Sequence, residues 1–528
     1  MAGVSTFRKS FARGALGAVS GLLSGYTALA VAELVASLVR PQAGPVTVVG
    51  GAAIDRTPAP VKDFAIRTFG ESDKLVLQLG ILAVLGLLGV VLGIVSLRYR
   101  RAGAAGVLLF GVIGAAAALS RPDTQGPVDA LPSLAGALVG AAALYFLAGK
   151  AAVHSGSPAG SEPTDSVWSR RGFLGAASLT AVTATGAGLV GRTLIGRSGQ
   201  GAVASRTQIK LPAPASPAPA LPAGVQLKAE GISSFTTPNK DFYRVDTALL
   251  VPKIDADTWR LRIRGKGVTR PHAYTFQELL ERPLIERDIT LTCVSNEVGG
   301  PYIGHARWLG VRLADLLREC GVKPPSTGGK ADQLVARSVD GMTLGSPVED
   351  VMDGRDAILA VGMNGEPLPF DHGFPVRMLV PGLYGYVSAC KWIEEIELTT
   401  FDSYDPYWVK RKWARKAPIK TQARIDTPKP FGRPTGEVVT VAGVAWAQHR
   451  GIDRVEVRID DGPWQDADLA PQASIDTWRQ WSFPWKPTPG GHNLTVRATD
   501  GNGQVQTEER TRTIPDGASG WHSVFVTT

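Results

Sequence analysis

The sequence predicts a protein of three parts: a bundle of apolar helices, a mixed α+β domain and a β-sandwich. Apolar residues dominate the first 200 positions, whereas charged and aromatic residues concentrate after about position 230. Short β-like runs separated by Gly, Pro and Asp turns fill the chain after about position 424. With 528 residues, the chain is also too long for one domain of about 100–200 residues.

Residues 1–150 contain four apolar stretches that are long enough, or nearly so, to cross a membrane, which takes about 20 helical residues. They lie near 14–39, 75–97, 102–119 and 131–149. Basic residues precede the first stretch and crowd the turn between the second and third. Because positive charge is retained on the cytoplasmic side, we expect a four-helix transmembrane region with a cytoplasmic amino terminus.

Residues 151–200 contain an arginine pair, Arg170 and Arg171, followed by Phe-Leu and a weakly apolar stretch rich in Gly and Thr. This pattern is typical of a twin-arginine export signal, here inside the chain. The alternative is an ordinary fifth transmembrane helix with a basic cytoplasmic flank. In both cases we expect the segment to remain as a membrane anchor. The protein would then be a multi-pass membrane protein with an extracytoplasmic catalytic domain.

Three further segments follow. Residues 201–228 are rich in Pro and Ala, which predicts an extended, semi-rigid linker that holds the next domain off the membrane. Residues 229–423 alternate β-like runs with short helical pieces, as in an α+β domain. Residues 424–516 have closely spaced strands, the pattern of an Ig-like β-sandwich.

Composition excludes several kinds of site. The three cysteines, Cys293, Cys320 and Cys390, form no CxxC pair, zinc spacing or haem-attachment motif. All seven histidines lie outside the first four apolar stretches, so that bundle cannot hold a bis-histidine haem, and no haem is expected in this chain. The net charge of +9 is scattered without a long basic run, so we expect no nucleic-acid partner.

Three segments of the α+β domain carry residues suited to binding a metal and a phosphate. They run from Phe235 to Arg244, from Leu291 to Val311, and from Asn364 to Trp392. The second segment contains Cys293, which ends an apolar strand and begins a loop rich in Ser, Asn and Gly.

The chemistry of these residues admits two interpretations. A thiolate such as that of Cys293 is a soft, strongly donating ligand for a transition metal. His372 and Arg377, with Lys391, would supply cationic donors suited to a phosphate. Taken alone, however, a small buried cysteine and surface ion pairs are the more common explanation of such residues.

Together, the motifs NGEPLP, DHGFPVR, PG and KW, downstream of a strand–Cys–x–x–Asn loop and GxARWxGV, resemble the sulfite oxidase family over about 235–515. The resemblance implies a sulfite-oxidase-type domain that binds molybdenum through a pyranopterin dithiolene and transfers an oxygen atom to or from a small substrate. It implies that Cys293 is the ligand to the metal. It implies a cofactor-binding set made of Asn239, Phe242, Tyr243, Cys293, His372, Arg377, Ser388 and Lys391.

The resemblance extends to partners. The sandwich is similar to the family's carboxy-terminal domain, which commonly mediates dimer contact, so a homodimer is expected. Electrons are expected to pass to or from a separate partner, a quinone or a membrane redox protein that docks on the four-helix region.

The substrate stays open, because this chain has Glu297 close after the metal cysteine, where the family has an arginine. A carboxylate there repels anionic sulfite, so a neutral or cationic substrate is an equal alternative. Two other classes of protein are alternatives: a non-catalytic exported binding or assembly module on the same fold, and a transporter or sensor whose soluble domain reads a ligand.

Overall fold

The structure is a computed structural model that describes residues 2–58, 61, 64, 68–69, 72–153 and 164–528. The chain divides into two units. Unit 1 is Met1–Gly201 with Ala248–Leu250, and unit 2 is Ala202–Thr247 with Val251–Thr528.

Unit 1 is built from helices. They are α1 Ala2–Val39, α2 Pro45–Arg56, α3 Asp73–Ser96, α4 Arg100–Leu119, α5 Leu131–Val153 and α6 Thr164–Gln208, which continues into unit 2. Within the described residues, five helical segments are long and apolar enough to cross a membrane: Arg13–Val39, Lys74–Ser96, Arg100–Leu119, Pro127–Ala151 and Gly172–Gln208. Four coincide with the four predicted stretches, and the fifth follows the arginine pair.

Part of the predicted 151–200 segment lies outside the described residues. Positions 154–163 are not described, and neither are the side chains of Arg170 and Arg171. The twin-arginine signal therefore stays a prediction.

Helix α1 packs closely against both α3 and α5. A Cβ atom on Gly21 of α1 would overlap the carbonyl oxygen of Gly89 on α3, so the two backbones are in contact. On α5, the carbonyl oxygen of Gly140 accepts a hydrogen bond of 2.7 Å from the Ser24 hydroxyl of α1. Small residues at such crossings allow apolar helices to associate through close backbone packing.

Polar contacts at both ends fix the up-and-down path of these helices. Arg40, just after α1, donates to Asp129 at 2.9 and 2.6 Å and to Asp123 at 3.0 Å, and both aspartates are buried. The end of α1 and the α4–α5 connection therefore lie at one end of the unit. At the other end, Arg100 of α4 donates to the carbonyl oxygen of Gly149 on α5 at 3.2 Å.

The first part of unit 2 holds two five-stranded sheets and four short helices. One sheet has the order β2-β1-β10-β5-β6, and the other has the order β3-β4-β7-β8 with β9 also paired to β7. The strands are β1 Arg260–Gly265, β2 His272–Thr275, β3 Ile285–Thr292, β4 Ile303–Arg312, β5 Gln333–Ser338, β6 Thr343–Pro347, β7 Ile358–Met363, β8 Glu366–Pro367, β9 Arg377–Leu379 and β10 Ile393–Thr399. The helices are α7 Phe276–Leu280, α8 Leu313–Glu319, α9 Val348–Met352 and α10 Gly385–Ser388.

The second part of unit 2 is a pair of four-stranded antiparallel sheets. Their strand orders are β11-β12-β16-β15 and β14-β13-β17-β18. The strands are β11 Gln422–Thr427, β12 Val439–Trp446, β13 Ile452–Ile459, β14 Gln465–Asp466, β15 Asp468–Leu469, β16 Arg479–Trp485, β17 Gly491–Asp500 and β18 His522–Thr527. Apolar side chains from both sheets share one buried core. The last strand lies beyond the predicted end at 516, because the chain makes a long connection before returning to pair with β17.

The predicted linker at 201–228 is wrong in two respects. Helix α6 continues to Gln208, since no proline occurs before Pro212 to end it. The residues that follow are part of unit 2 and pack on its strands: Ser216 pairs with Ile285 of β3, and the amide of Leu227 donates to Gln480 at 2.6 Å. Proline keeps this segment extended, but its backbone is bound to the domain rather than free.

We predict that Gly21→Val destabilises unit 1, because the new side chain must separate α1 from α3 at a cost of about 1–3 kcal/mol. Gly25→Val, on the same helix, is the matched control, because a Cβ atom there meets nothing within 4 Å. Thermal unfolding of the detergent-solubilised protein should show a lower midpoint for Gly21→Val only. Equal midpoints for the two variants would contradict the close contact of α1 with α3.

Candidate functional site

Cys293 lies directly after β3, at the start of a loop that leads into β4. Its amide donates to the carbonyl oxygen of Tyr302 at 2.9 Å, and its carbonyl oxygen accepts from the amide of Asn296 at 3.0 Å. The side-chain oxygen of Asn296 accepts from the amide of Tyr302 at 2.8 Å. The Cys–x–x–Asn motif is therefore a closed loop, in which Asn296 joins both ends and fixes the backbone of the cysteine.

The β-sandwich holds the same loop from the other side. Arg424 of β11 donates to the carbonyl oxygen of Gly300 at 2.8 Å and is itself oriented by Asp426 at 2.7 Å. Gly299 has φ +79°, and a Cβ atom there would overlap the ring of His522 on β18. Both the left-handed backbone and the lack of space require glycine at this position.

The thiol of Cys293 is buried, with 8% of the residue exposed. Burial raises its pKa, against the opposing effects of hydrogen bonds from Ser295 and of the charge on Lys391. The phenols of Tyr243 and Tyr384 also have raised pKa values, mainly through burial and in part through the nearby thiolate charge. The cysteine thus lies in a largely dry environment lined by neutral phenols.

Arg377 of β9 is buried, with 6% of the residue exposed, yet no described carboxylate forms an ion pair with it. Its Nη1 donates a long hydrogen bond of 3.4 Å to the carbonyl oxygen of His372, and its Nε has no partner among the described residues. The guanidinium lies 5.5 Å from the ring centre of Trp308. Burial lowers the pKa of Arg377 to about 10. An unpaired buried cation is costly, and an anionic ligand would remove that cost.

His372 lies next to this guanidinium. Its Nε2 is 3.0 Å from the carbonyl oxygen of Asn239, which can only accept, so Nε2 carries the hydrogen. Its Nδ1 is buried without a hydrogen-bond partner in the described part of the chain. Burial, with a further contribution from Arg377, lowers the pKa of His372 to about 4. The imidazole is therefore neutral at pH 7, with an unused nitrogen.

Asn239 positions the segment that runs past the site. Its Nδ2 donates to the carbonyl oxygen of Met363 at 3.2 Å, and its Oδ1 accepts from Asn364 at 2.8 Å. Asn364 adopts φ +51° at the turn that begins the NGEPLP motif. This pair of asparagines therefore joins the first and third sequence segments.

Phe242 and Tyr243 have different surroundings. Phe242 is buried and forms T-shaped contacts with Trp308 and His372. Its ring centre is 5.9 Å from that of Trp308 and 5.5 Å from that of His372, so it packs against both side chains. The ring of Tyr243 is stacked on that of Phe242, with ring centres 5.2 Å apart, and meets the ring of Tyr302 at 6.3 Å. Tyr243 therefore links Phe242 to the loop that contains Cys293.

Ser388 and Lys391 are engaged with other protein groups. Lys391 is buried and donates to Asp246 at 2.6 Å and to the carbonyl oxygen of Asp371 at 3.0 Å. The hydroxyl of Ser388 donates to backbone carbonyl oxygens at 2.9 and 3.1 Å. Asn239, Phe242, Tyr243, His372 and Arg377 thus form one network of contacts, which reaches the cysteine loop through Tyr243, whose ring centre is 6.3 Å from that of Tyr302. The hydroxyl of Ser388 is instead bonded to the two residues that precede its own helix.

Sequence reasoning missed Asp246, Asn296 and Arg424 as parts of this site. Asp246 lies only two residues past the first segment, and its closeness to that segment was an available signal. Asn296 is part of the Cys–x–x–Asn motif, but the motif alone does not show that its side chain closes the loop. Arg424 lies 131 residues after Cys293 along the chain, and no local pattern connects the two.

We predict that Gly299→Ala loosens the cysteine loop. Gly328→Ala is the matched control, since Gly328 has a similar φ of +86° but a Cβ atom there meets nothing within 4 Å. Both variants bear a backbone cost of about 1 kcal/mol, and only Gly299→Ala adds a clash of about 1–3 kcal/mol. Site-resolved alkylation of the cofactor-free protein should be faster at Cys293 in Gly299→Ala alone. Equal rates in both variants would show that the sandwich does not constrain the loop.

Comparison with known proteins adds independent findings. A family model described as the oxidoreductase molybdopterin binding domain matches residues 248–408. The chain is 31% identical over 320 residues to sulfite oxidase of Gallus gallus, covering 52% of this chain and 68% of that protein. It is 29% identical over 320 residues to mitochondrial sulfite oxidase of Homo sapiens, covering 52% and 57% respectively. The chain thus spans less than two thirds of the length of the mammalian enzymes that it matches.

Among solved structures, the chain is similar to the sulfane dehydrogenase SoxCD of Paracoccus pantotrophus. The TM-score is 0.48 at 24% identity, and the match covers 56% of this chain and 82% of that chain. The family model identifies residues 248–408 as an oxidoreductase molybdopterin binding domain, and the similarity to the avian enzyme shows that the chain belongs to the sulfite oxidase family.

Proposed function

We propose that Cys293 binds the molybdenum of a pyranopterin cofactor and that the protein transfers an oxygen atom to or from a small substrate. The observation that carries this proposal is the buried guanidinium of Arg377, which has no counter-ion among the residues that the structure describes, beside the Nδ1 of His372, which has no hydrogen-bond partner among them. The cofactor's phosphate matches the first group in charge, and a soft metal matches the nearby thiol of Cys293. The residues present therefore fit the cofactor.

The chain's own residues would bind and orient this cofactor. Arg377 offers two or more donors in a fixed fork, which suits phosphate oxygens. A phosphate oxygen only accepts hydrogen bonds, so Nδ1 of His372 would serve it only when protonated, and the anion's charge favours that protonation. Lys391, held by Asp246, adds positive charge without needing a new counter-ion. When bound, the cofactor supplies the two-electron redox chemistry.

The loop of Cys293 also bears on the substrate. Glu297 lies near the middle of that loop and is exposed to solvent. Its charge is therefore screened, but it still disfavours an anion relative to the arginine of the family pattern. We infer that a neutral or cationic substrate is at least as well suited as sulfite. Two measurements distinguish these substrates. One is reduction of the oxidised protein by sulfite, and the other is reoxidation of the reduced protein by sulfoxides.

We also propose that the five apolar helices anchor the protein in a membrane, with unit 2 on the extracytoplasmic side. The basic residues at the amino terminus and between α3 and α4 support this orientation. The electron partner would be a separate redox molecule, and the sandwich would mediate a homodimer. A non-catalytic binding module is the alternative, and metal analysis separates it from the enzyme.

We predict that Cys293→Ser abolishes stable molybdenum binding, because a hydroxyl is a harder and weaker donor than a thiolate. Cys320→Ser is the control, since Cys320 is buried beside Tyr274 and away from the site. Metal and pterin analysis of the purified proteins should show molybdenum in the wild type and in Cys320→Ser. Absence of both molybdenum and pterin from the wild type would refute the proposed function.

We predict opposite effects of Arg377→Met on stability and on cofactor content. Removing a buried unpaired charge should stabilise the cofactor-free protein by about 1–3 kcal/mol, while pterin retention should fall about tenfold or more through loss of charge-assisted hydrogen bonds. Arg355→Met is the control, because Arg355 is paired with Asp353 and its loss should destabilise the protein slightly. A cofactor-free Arg377→Met protein that unfolds at a lower temperature than the wild type would contradict an unpaired guanidinium.

A further inference from the structure

A basic segment, defined as residues 404–416, lies at the surface of unit 2. It contains five cationic residues, Lys410, Arg411, Lys412, Arg415 and Lys416, and one acid, Asp405. Asp405 is paired with Arg415 at 2.8 Å. Lys410, Lys412 and Lys416 are exposed, so the segment presents several positive charges to solvent.

Beneath these charges runs a chain of aromatic rings. The rings of Tyr407 and Trp408 are 5.0 Å apart between centres, those of Trp408 and Trp413 are 5.3 Å apart, and those of Trp413 and Tyr386 are 5.2 Å apart. The hydroxyl of Tyr386 also donates to the carbonyl oxygen of Ala414 at 2.8 Å. The basic segment is therefore packed onto α10 through aromatic contacts.

The same contacts lead to the cysteine loop. Val294, the residue after Cys293, lies in one buried apolar cluster with Tyr384 and Trp413, and Tyr386 and Trp408 pack against that cluster. One apolar cluster thus connects Val294, the neighbour of Cys293, to Trp413 in the basic segment.

We propose that the basic segment is the docking surface of an acidic one-electron carrier protein. Complementary charge steers such encounters and orients the partner on the surface. A quinone would need an apolar slot instead of exposed lysines, and a small anion would gain little from charges that are largely solvated. This inference rests on the proposed function for its redox role.

The electron balance sets the number of encounters. Oxidation of one substrate molecule with an oxygen atom from water releases two protons and two electrons, so two carriers are each reduced by one electron. In the opposite direction, two reduced carriers deliver these electrons. Each turnover therefore needs two docking events, which a surface with rapid, charge-steered association suits.

The test uses the detergent-solubilised full chain and two probes, an acidic and a basic c-type cytochrome. The variant is Lys410→Glu/Lys412→Glu/Lys416→Glu, and the control is Lys253→Glu/Lys323→Glu/Lys330→Glu, which reverses three exposed lysines elsewhere on unit 2. Calorimetric binding at low salt should show a Kd for the acidic cytochrome that is about tenfold weaker in the first variant than in the control. Added salt should weaken wild-type binding in the same direction.

Three results would overturn the proposal: equal weakening in both variants, equal or tighter binding of the basic cytochrome, or loss of binding only to vesicles that contain anionic lipid. Binding is measured without turnover, so it does not depend on the metal. Molybdenum analysis of the same samples tests the proposed function separately. A protein without molybdenum that still binds the acidic cytochrome would refute the enzyme assignment and retain the docking surface.

Discussion

A guanidinium enclosed by protein without a carboxylate is unstable unless the surrounding residues are fixed against relaxation. Arg377 is held in that state by β9, which pairs with β7, and by the indole of Trp308 on β4. Asp246, in the chain before β1, is bound to Lys391 at 2.6 Å and forms no ion pair with Arg377 among the described residues. In the described part of the chain, the fold therefore keeps Lys391 paired and leaves Arg377 without a carboxylate partner.

Cys293, the proposed metal ligand, depends on two different parts of unit 2. Its backbone is fixed locally by Asn296, and the far side of its loop is fixed by Arg424 and His522 of the sandwich. A ligand that must keep its geometry while the metal changes oxidation state benefits from such bracing, because the surrounding hydrogen bonds orient it. The sandwich therefore contributes to the site as well as to any subunit contact.

Sequence patterns predicted the α+β layout of residues 229–423, because short runs rich in β-branched residues indicate strands. Strand β4 carries a weaker signal, since eight of its ten residues are buried and no alternation remains. The ligand candidates were found through motifs, but the ion pair of Lys391 with Asp246 joins residues 145 positions apart. Such pairings depend on tertiary packing, which local periodicity does not encode. The segment at 201–228 was wrongly predicted to be a free linker. Its Pro/Ala composition indicates a stiff chain but does not show what that chain packs against.

The double support of the cysteine loop has a consequence for modularity. A chain cut at residue 423, where the strand pattern changes, would keep Cys293 and every other predicted cofactor contact. It would nevertheless lose the guanidinium that holds Gly300 and the imidazole that fills the space beside Gly299. The site is thus shared across what looks like a domain boundary. The two halves are therefore expected to evolve together.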